Sequence, residues 1–197
     1  MQIRIAEKED YIKVREFYYS LTDAMQEAEF RPGWEKNIYP SQDFLKESIE
    51  NGELFLCEIE NAVAACMVIN HKCNEGYQKI RWSAAVSDSQ LYVIHALGVH
   101  PDFSGRGIAK EMVRRAIRKA QIHEIRTIRL DVLEGNLPRK KYILRWDFII
   151  WTRSVCTMKI PAGRILSFSN TCSHLRLQHK SLQFSWLNCN HKSFCSL

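Results

Sequence analysis

With 197 residues, 46% hydrophobic and 25% charged, the chain is long enough to bury one domain core. No apolar run approaches the ~20 residues needed to cross a bilayer, and the opening MQIRIAEKEDY lacks the basic-then-apolar pattern of a secretory leader, so a soluble cytoplasmic protein is expected. The net charge of +6 belongs to one end, residues 138–197 standing at +9 and residues 1–137 at −3, which removes most of the case for a nucleic-acid-binding face.

Residues 2–6 alternate as a short strand. From Lys8 onward, Tyr11, Val14, Tyr18, Leu21 and Met25 recur at three- and four-residue steps, the period of an amphipathic helix with an acidic first turn. Arg31, Pro32 and Gly33 end that pattern. Residues 41–50 predict a second helix, N-capped by Ser41 and stopped at Asn51 and Gly52. Residues 53–60 and 62–70, apolar and separated by Asn61, predict a hairpin. A turn at 74–76 leads to a weak strand or loop over 77–84, and residues 91–99 form an apolar strand.

Gly105 and Gly107 then open a helix that puts Ala109, Met112, Val113, Ala116, Ile117 and Ala120 on one stripe and leaves Arg114, Arg115, Arg118 and Lys119 in solvent. Residues 127–133 add another strand. Two strands joined through a helix must pair in parallel, so the fold class is α/β with a mixed central sheet.

Strand, glycine turn and helix N-terminus together make an anion cradle, because the first-turn N–H groups lack helical acceptors and the helix dipole adds positive charge there. An ordinary strand-to-helix turn reads the same way on spacing alone. A Walker A loop is absent, and the dinucleotide fingerprint lacks its third glycine. The seven cysteines are odd in number and include no CxxC, so neither a disulfide framework nor a zinc site is expected; Cys57 and Cys66 read as small core residues.

The segment VHPDFSGRGIAKEMVRRA resembles the signature of the GNAT-type N-acetyltransferase superfamily, in which a strand ending in Val-x-Pro precedes an Arg/Gln-x-x-Gly-x-Gly/Ala turn that binds the pyrophosphate of acetyl-CoA. Gly107 and Ala109 match that turn, while Ser104 stands where Arg or Gln is usual. Upstream, IRIAEKEDY is similar to the family's first strand and helix start; downstream, LDVLEGN is similar to its fifth strand and the Asn opening its last helix. The resemblance covers residues 1–137.

It implies a fold of the acyl-CoA N-acyltransferase type and direct attack of an acceptor amine on acetyl-CoA, with a base for the ammonium and an acid for the thiolate. Strands 91–99 and 127–133 would splay to clamp pantetheine, and an N–H in residues 97–99 would polarise the thioester carbonyl. The implied cofactor contacts are Leu97, Gly98, Val99, Ser104, Gly105, Arg106, Gly107, Ile108, Ala109, Lys110 and Asn136. His95, expected on the same strand face as Leu97, is a candidate base, against its reading as a hydrogen-bonded structural residue. His100 beside Pro101 reads as a turn residue. The acceptor, a small-molecule amine or a protein amino group, would be selected by residues 18–43 and 77–90. No specific nucleic acid and no membrane partner is implied.

After Asn136 the family expects a helix carrying the Tyr that protonates the thiolate, a Gly-Phe turn and two closing strands. This chain departs from that pattern, so residues 138–163 read as an altered end of the 1–137 domain, and residues 164–197 as an irregular, disordered tail without acids. A one-base slip near Pro138 accounts for the departure: Trp146–Asp147 then forces Gly, Trp151–Thr152 forces Asp and Met158–Lys159 forces Glu. The degenerate positions permit the missing Tyr and Gly-Phe. Tyr142 lies within a base of that Tyr and is the candidate acid. The closing strands would lose their sequence and leave a sheet edge exposed. Cys172, His174, Cys189, His191 and Cys195 match no zinc module. A CoA-binding but catalytically impaired family member is the alternative function, and a nucleic-acid binder rests on the tail alone.

Overall fold

The computed structural model of the chain describes residues 1–26, 33–73, 86–131, 149–150 and 155–159. Its elements are β1 (Gln2–Ile5), α1 (Tyr11–Gln26), α2 (Gln42–Glu50), β2 (Leu54–Ile59), β3 (Ala62–Asn70), β4 (Leu91–Val99), α3 (Ile108–Ile122), β5 (Thr127–Asp131), β6 (Ile149–Ile150) and β7 (Val155–Lys159). The strands form one mixed sheet in the order β1-β2-β3-β4-β5-β7-β6. Among the described strands only β4 and β5 run parallel, as the α3 crossover between them requires.

The central strands are buried on both faces, which is why they read as near-continuous apolar runs. One face packs Phe55, Met67, Ile69, Tyr92 and Ile94 against the α3 stripe of Met112, Val113, Ala116, Ile117 and Ala120. The other packs Leu54, Leu56, Cys66, Val68 and Ala96 against Val14, Phe17, Tyr18 and Leu21 of α1 and Leu45 and Ile49 of α2. Cys57 and Cys66 are buried free thiols, and burial raises both above the ordinary thiol range. Ser41 caps α2 by accepting the Phe44 N–H at 3.2 Å. No described helix is long and apolar enough to cross a membrane.

Several expectations shift. Glu9 and Asp10 belong to a 3-10 turn, Lys8–Asp10, ahead of α1. Asp10, 5% exposed, is held there by Arg4 at 2.5 and 2.8 Å. Arg115 and Lys119 are not fully solvated. Their cationic ends lie 5.9 and 5.1 Å from the Phe55 ring, with their stems over apolar surface, and Arg114 is half-buried beside Glu111. Arg118 alone of the four is exposed.

The bare sheet edge expected after β5 is not found: β7 pairs along all of β5, from Thr127↔Lys159 to Asp131↔Val155. Ile149, Ile150, Val155 and Thr157 are β-branched, and that composition suits pairing whatever its origin. Asn136, Tyr142 and residues 164–197, with their cysteines and histidines, lie outside the described residues.

Candidate functional site

The site begins at a fault in β4. Val68 pairs with His95 and Cys66 with Gly98, so the single residue Met67 faces both Ala96 and Leu97. This β-bulge puts Ala96 at φ +49, left-handed backbone that an L-residue adopts at about 1–3 kcal/mol. The Tyr18 hydroxyl donates to the Ala96 carbonyl at 2.8 Å, and Tyr18 is 1% exposed. Burial raises the phenol above its ordinary pKa, so it stays a donor.

The extra residue reassigns side chains to faces. Leu97 and Val99 pack with the α3 cluster, Ala96 with the α1 cluster, and Gly98 backs onto the same side. A Cβ on Gly98 would stand 2.4 Å from Leu21 Cδ2 and 3.6 Å from Trp34, so the strand approaches α1 here too closely for a side chain. His95 meets the edge of Phe44, ring centroids 6.2 Å apart, on the face opposite Leu97. The expectation that His95 and Leu97 share a face is therefore overturned, because the bulge breaks strict alternation.

Beyond the bulge β4 has no β5 neighbour among the described residues. Its ladder with β5 ends at Ile94↔Leu130, while β4 runs on to Val99. On the other side His100 donates its N–H to Ala64 at 3.0 Å, so His100 and Gly98 direct backbone groups at β3. Alternation then turns the groups of Leu97 and Val99 away from β3, to the side on which the described part of β5 ends at Asp131.

The chain leaves β4 through the 3-10 turn Pro101–Phe103 and arrives at the glycines. Phe103 N–H bonds the His100 carbonyl at 3.0 Å and Ser104 N–H the Pro101 carbonyl at 2.9 Å, so the approach is rigidly hydrogen-bonded. Gly105 and Gly107 hold φ +76 and +75, and a Cβ on either would point into open space. Gly107 is the N-cap of α3, whose ladder begins with Glu111 N–H to the Gly107 carbonyl at 3.2 Å. The Ile108 and Ala109 N–H groups therefore have no acceptor in the ladder. Ile108 is 1% exposed and anchors the turn in the core, while Ser104, Gly105, Arg106 and Gly107 are exposed. The Arg106 guanidinium stacks 5.3 Å from the Phe103 ring.

The structure thus brings Leu97–Val99 backbone, the glycine turn, Arg106 and the start of α3, including Lys110, into one continuous stretch. His95 is adjacent in sequence but differently employed. Asn70 Oδ1 accepts the Lys72 N–H at 3.0 Å and Asn70 Nδ2 donates to Glu53, an orientation that makes His95 Nε2 the donor to the same Oδ1 at 3.0 Å. Burial lowers the His95 pKa to about 4. A neutral imidazole whose Nε2 is already a donor ties β3 to β4 through Asn70. His100 caps the turn, as expected of a turn residue, and its Nε2 lies 3.0 Å from Ser20 Oγ.

Tyr18 and the Ala96 bulge escaped sequence reasoning. Tyr18 is one member of an apolar periodicity, and nothing local marks an alanine for positive φ.

The acetyltransferase (GNAT) family model matches residues 15–148. Among solved structures, the chain is similar to a GNAT-family acetyltransferase of Listeria monocytogenes 4b F2365, with TM-score 0.65 and 21% identity over 80% of this chain and 94% of that one. It is also similar to the PaiA N-acetyltransferase of Thermoplasma acidophilum, solved in complex with coenzyme A (TM-score 0.60, 11% identity, 80% and 98% covered). A third likeness is to YncA of Salmonella typhimurium, described as a putative acetyltransferase with its cofactor acetyl-CoA (TM-score 0.58, 14% identity, 83% and 96% covered). A search of curated proteins gave no match.

Proposed function

The chain belongs to the acetyltransferase (GNAT) family, and from that premise we propose that it transfers the acetyl group of acetyl-CoA to an amine of a small molecule or of a protein. One observation carries the reading: β4, whose Leu97 and Val99 have no β5 partner among the described residues, runs directly into an open glycine turn at a helix N-terminus. A chain of N–H groups along one path suits a ligand with amides at one end and a pyrophosphate at the other. The Thermoplasma and Salmonella relatives, solved with coenzyme A and acetyl-CoA, support that choice of ligand.

Acetyl-CoA would supply the acyl group as an activated thioester. The backbone of residues 105–109 would take the pyrophosphate, helped by the α3 dipole and the charges of Arg106 and Lys110. Because the Ser104 N–H already serves Pro101, only its hydroxyl would be available to the phosphates. Leu97 and Val99 would hold the pantetheine amides, and the Leu97 N–H would stabilise the thioester oxygen as it gains charge. The amine lone pair forms the new C–N bond as C–S breaks; the nitrogen gives up one proton to solvent or a base, and the thiolate takes one. The family resemblance supports Tyr142 as that proton's source and Asn136 as a cofactor contact. His95, lacking an available Nε2 lone pair, is not proposed as the base.

Two measurements test the reading: thermal stabilisation by acetyl-CoA, and release of free thiol in the presence of a panel of primary amines. Both effects are expected. Stabilisation without thiol release supports instead a CoA-binding, catalytically impaired member, which the altered sequence after residue 137 favours as second reading. Neither effect would overturn both.

A further inference from the structure

The residue that holds the β4 bulge has a consequence for the chemistry that its burial conceals. The Ala96 carbonyl and the Leu97 N–H belong to one planar peptide group and point in opposite directions. Tyr18 reaches the carbonyl from the α1 side of the sheet, its hydroxyl oxygen 2.8 Å away. Fixing that carbonyl fixes the N–H on the opposite side of the same peptide group, and among the described residues the β4–β5 ladder ends before it, at Ile94↔Leu130.

We propose that Tyr18 is a positioning residue for acetyl transfer: its hydroxyl locks the peptide between Ala96 and Leu97 so that the Leu97 N–H is aimed at the thioester oxygen. The inference rests on the acetyl-transfer reading above and names the device that orients its oxyanion donor.

Three features make this more than core packing. First, Ala96 sits at φ +49, a conformation alanine does not keep unaided, and the Tyr18 hydroxyl is the side-chain group bonded to its carbonyl. Second, a hydrogen bond to a peptide carbonyl polarises the whole group, so the Leu97 N–H becomes a stronger donor. Third, the ring itself is clamped. It is 1% exposed and packs on Phe17 and Trp34 at centroid distances of 5.1 and 5.9 Å, which leaves the hydroxyl little freedom. Without the hydroxyl, the extra residue of β4 could relax, and a one-residue shift in a strand redirects every following N–H.

The test uses the full-length chain and needs no identified acceptor. Infrared spectroscopy of [1-13C]acetyl-CoA reads the thioester carbonyl stretch free and bound, and calorimetry reads the affinity for coenzyme A. The unaltered protein should lower the stretching frequency on binding. Tyr18→Phe should lose most of that shift while coenzyme A affinity stays within about threefold, because the glycine turn is untouched. Adding Ala96→Gly to Tyr18→Phe should restore much of the shift, since glycine adopts positive φ without strain.

Replacing Tyr18 with 3,5-difluorotyrosine, a stronger donor in the same space, should enlarge the shift and covers the case in which Tyr18→Phe folds poorly. An undiminished shift in Tyr18→Phe together with an unchanged one in the difluoro protein would overturn the proposal. So would parallel loss of coenzyme A affinity and shift without rescue by Ala96→Gly, which would assign Tyr18 to packing alone. If the unaltered protein binds neither acetyl-CoA nor coenzyme A, the acetyl-transfer reading itself fails.

Discussion

His95 and Asn70 are joined across the β3–β4 ladder by a 3.0 Å bond from Nε2 to Oδ1, and the histidine is only 6% exposed. Because its folded pKa is about 4 against an ordinary 6.5, the unfolded chain takes up a proton first as pH falls. The histidine therefore favours the fold fully above pH 6.5, and that contribution is lost as pH falls through 4, on the order of 3 kcal/mol in all. His95→Gln, which keeps a donor near Nε2 but cannot titrate, should reduce this loss. In urea unfolding, the stability of the unaltered protein relative to the variant should drop by about 2 kcal/mol between pH 7 and pH 5. Thiol release by the variant should keep the same pH profile above pH 6, whereas a catalytic base would change it.

Asp10 behaves with the opposite charge but the same sign. Its hydrogen bond with Arg4 holds the carboxylate pKa at about 2, below its ordinary 3.8, with the Glu7 N–H adding to the effect. The stabilisation is present above pH 3.8 and lost as pH falls through 2. Asp10→Asn should cost about 1–2 kcal/mol at pH 7, measured by chemical denaturation, and the cost should fade as pH falls through 2. The Asp10 side chain is 8% exposed but its partner Arg4 is 29% exposed, so solvent screening holds the cost below the full value of the shift.

Gly107 and Gly98 should fail in different ways. Gly107 sits at φ +75 with open space around a notional Cβ. Gly107→Ala should therefore lower stability by only about 1 kcal/mol, yet weaken acetyl-CoA binding tenfold or more by intruding where the pyrophosphate would lie. Gly98→Ala should act through the core instead, because its Cβ would meet Leu21 at 2.4 Å, and overpacking there should cost about 1–3 kcal/mol. Calorimetry and urea unfolding on the two variants should separate binding from stability.

The role of the chain's end can be read by truncation. A chain ending at residue 163 keeps β7, which pairs with the whole of β5, and should match the full chain in melting temperature and acetyl-CoA stabilisation. A chain ending at residue 137 exposes the β5 edge and should aggregate, as light scattering will report. We propose that residues 138–197 are read out of frame, and resequencing of the coding DNA tests this. An intact single frame through Leu197, with a folded tail, would refute it.

Much of the molecule was legible from the sequence. The α3 stripe shows because burial of one helix face imposes a 3.6-residue period, and Ser41 shows because an N-cap needs a side-chain oxygen. Asn51 and Gly52 mark the end of α2 for an equally local reason, Gly52 adopting φ +65. Gly105 and Gly107 were visible as a turn, and both adopt positive φ. The basic residues of α3 were misread as solvated, because only the partner strands reveal Phe55 and Tyr92 beneath their stems. The role of His95 is not written locally, because its partner Asn70 lies 25 residues away.

The sequence by itself determined the α/β order of elements, the parallel crossover and the glycine turn that opens α3. Each depends on interactions within a few residues, or on a periodicity that burial writes directly into the chain. Only the tertiary structure decided that β4 carries a bulge at Ala96, that Tyr18 holds it, and that Leu97 and His95 face apart. Those outcomes follow from contacts between α1, β3 and β4 separated by up to 78 residues, and an alanine has no side-chain chemistry with which to announce them.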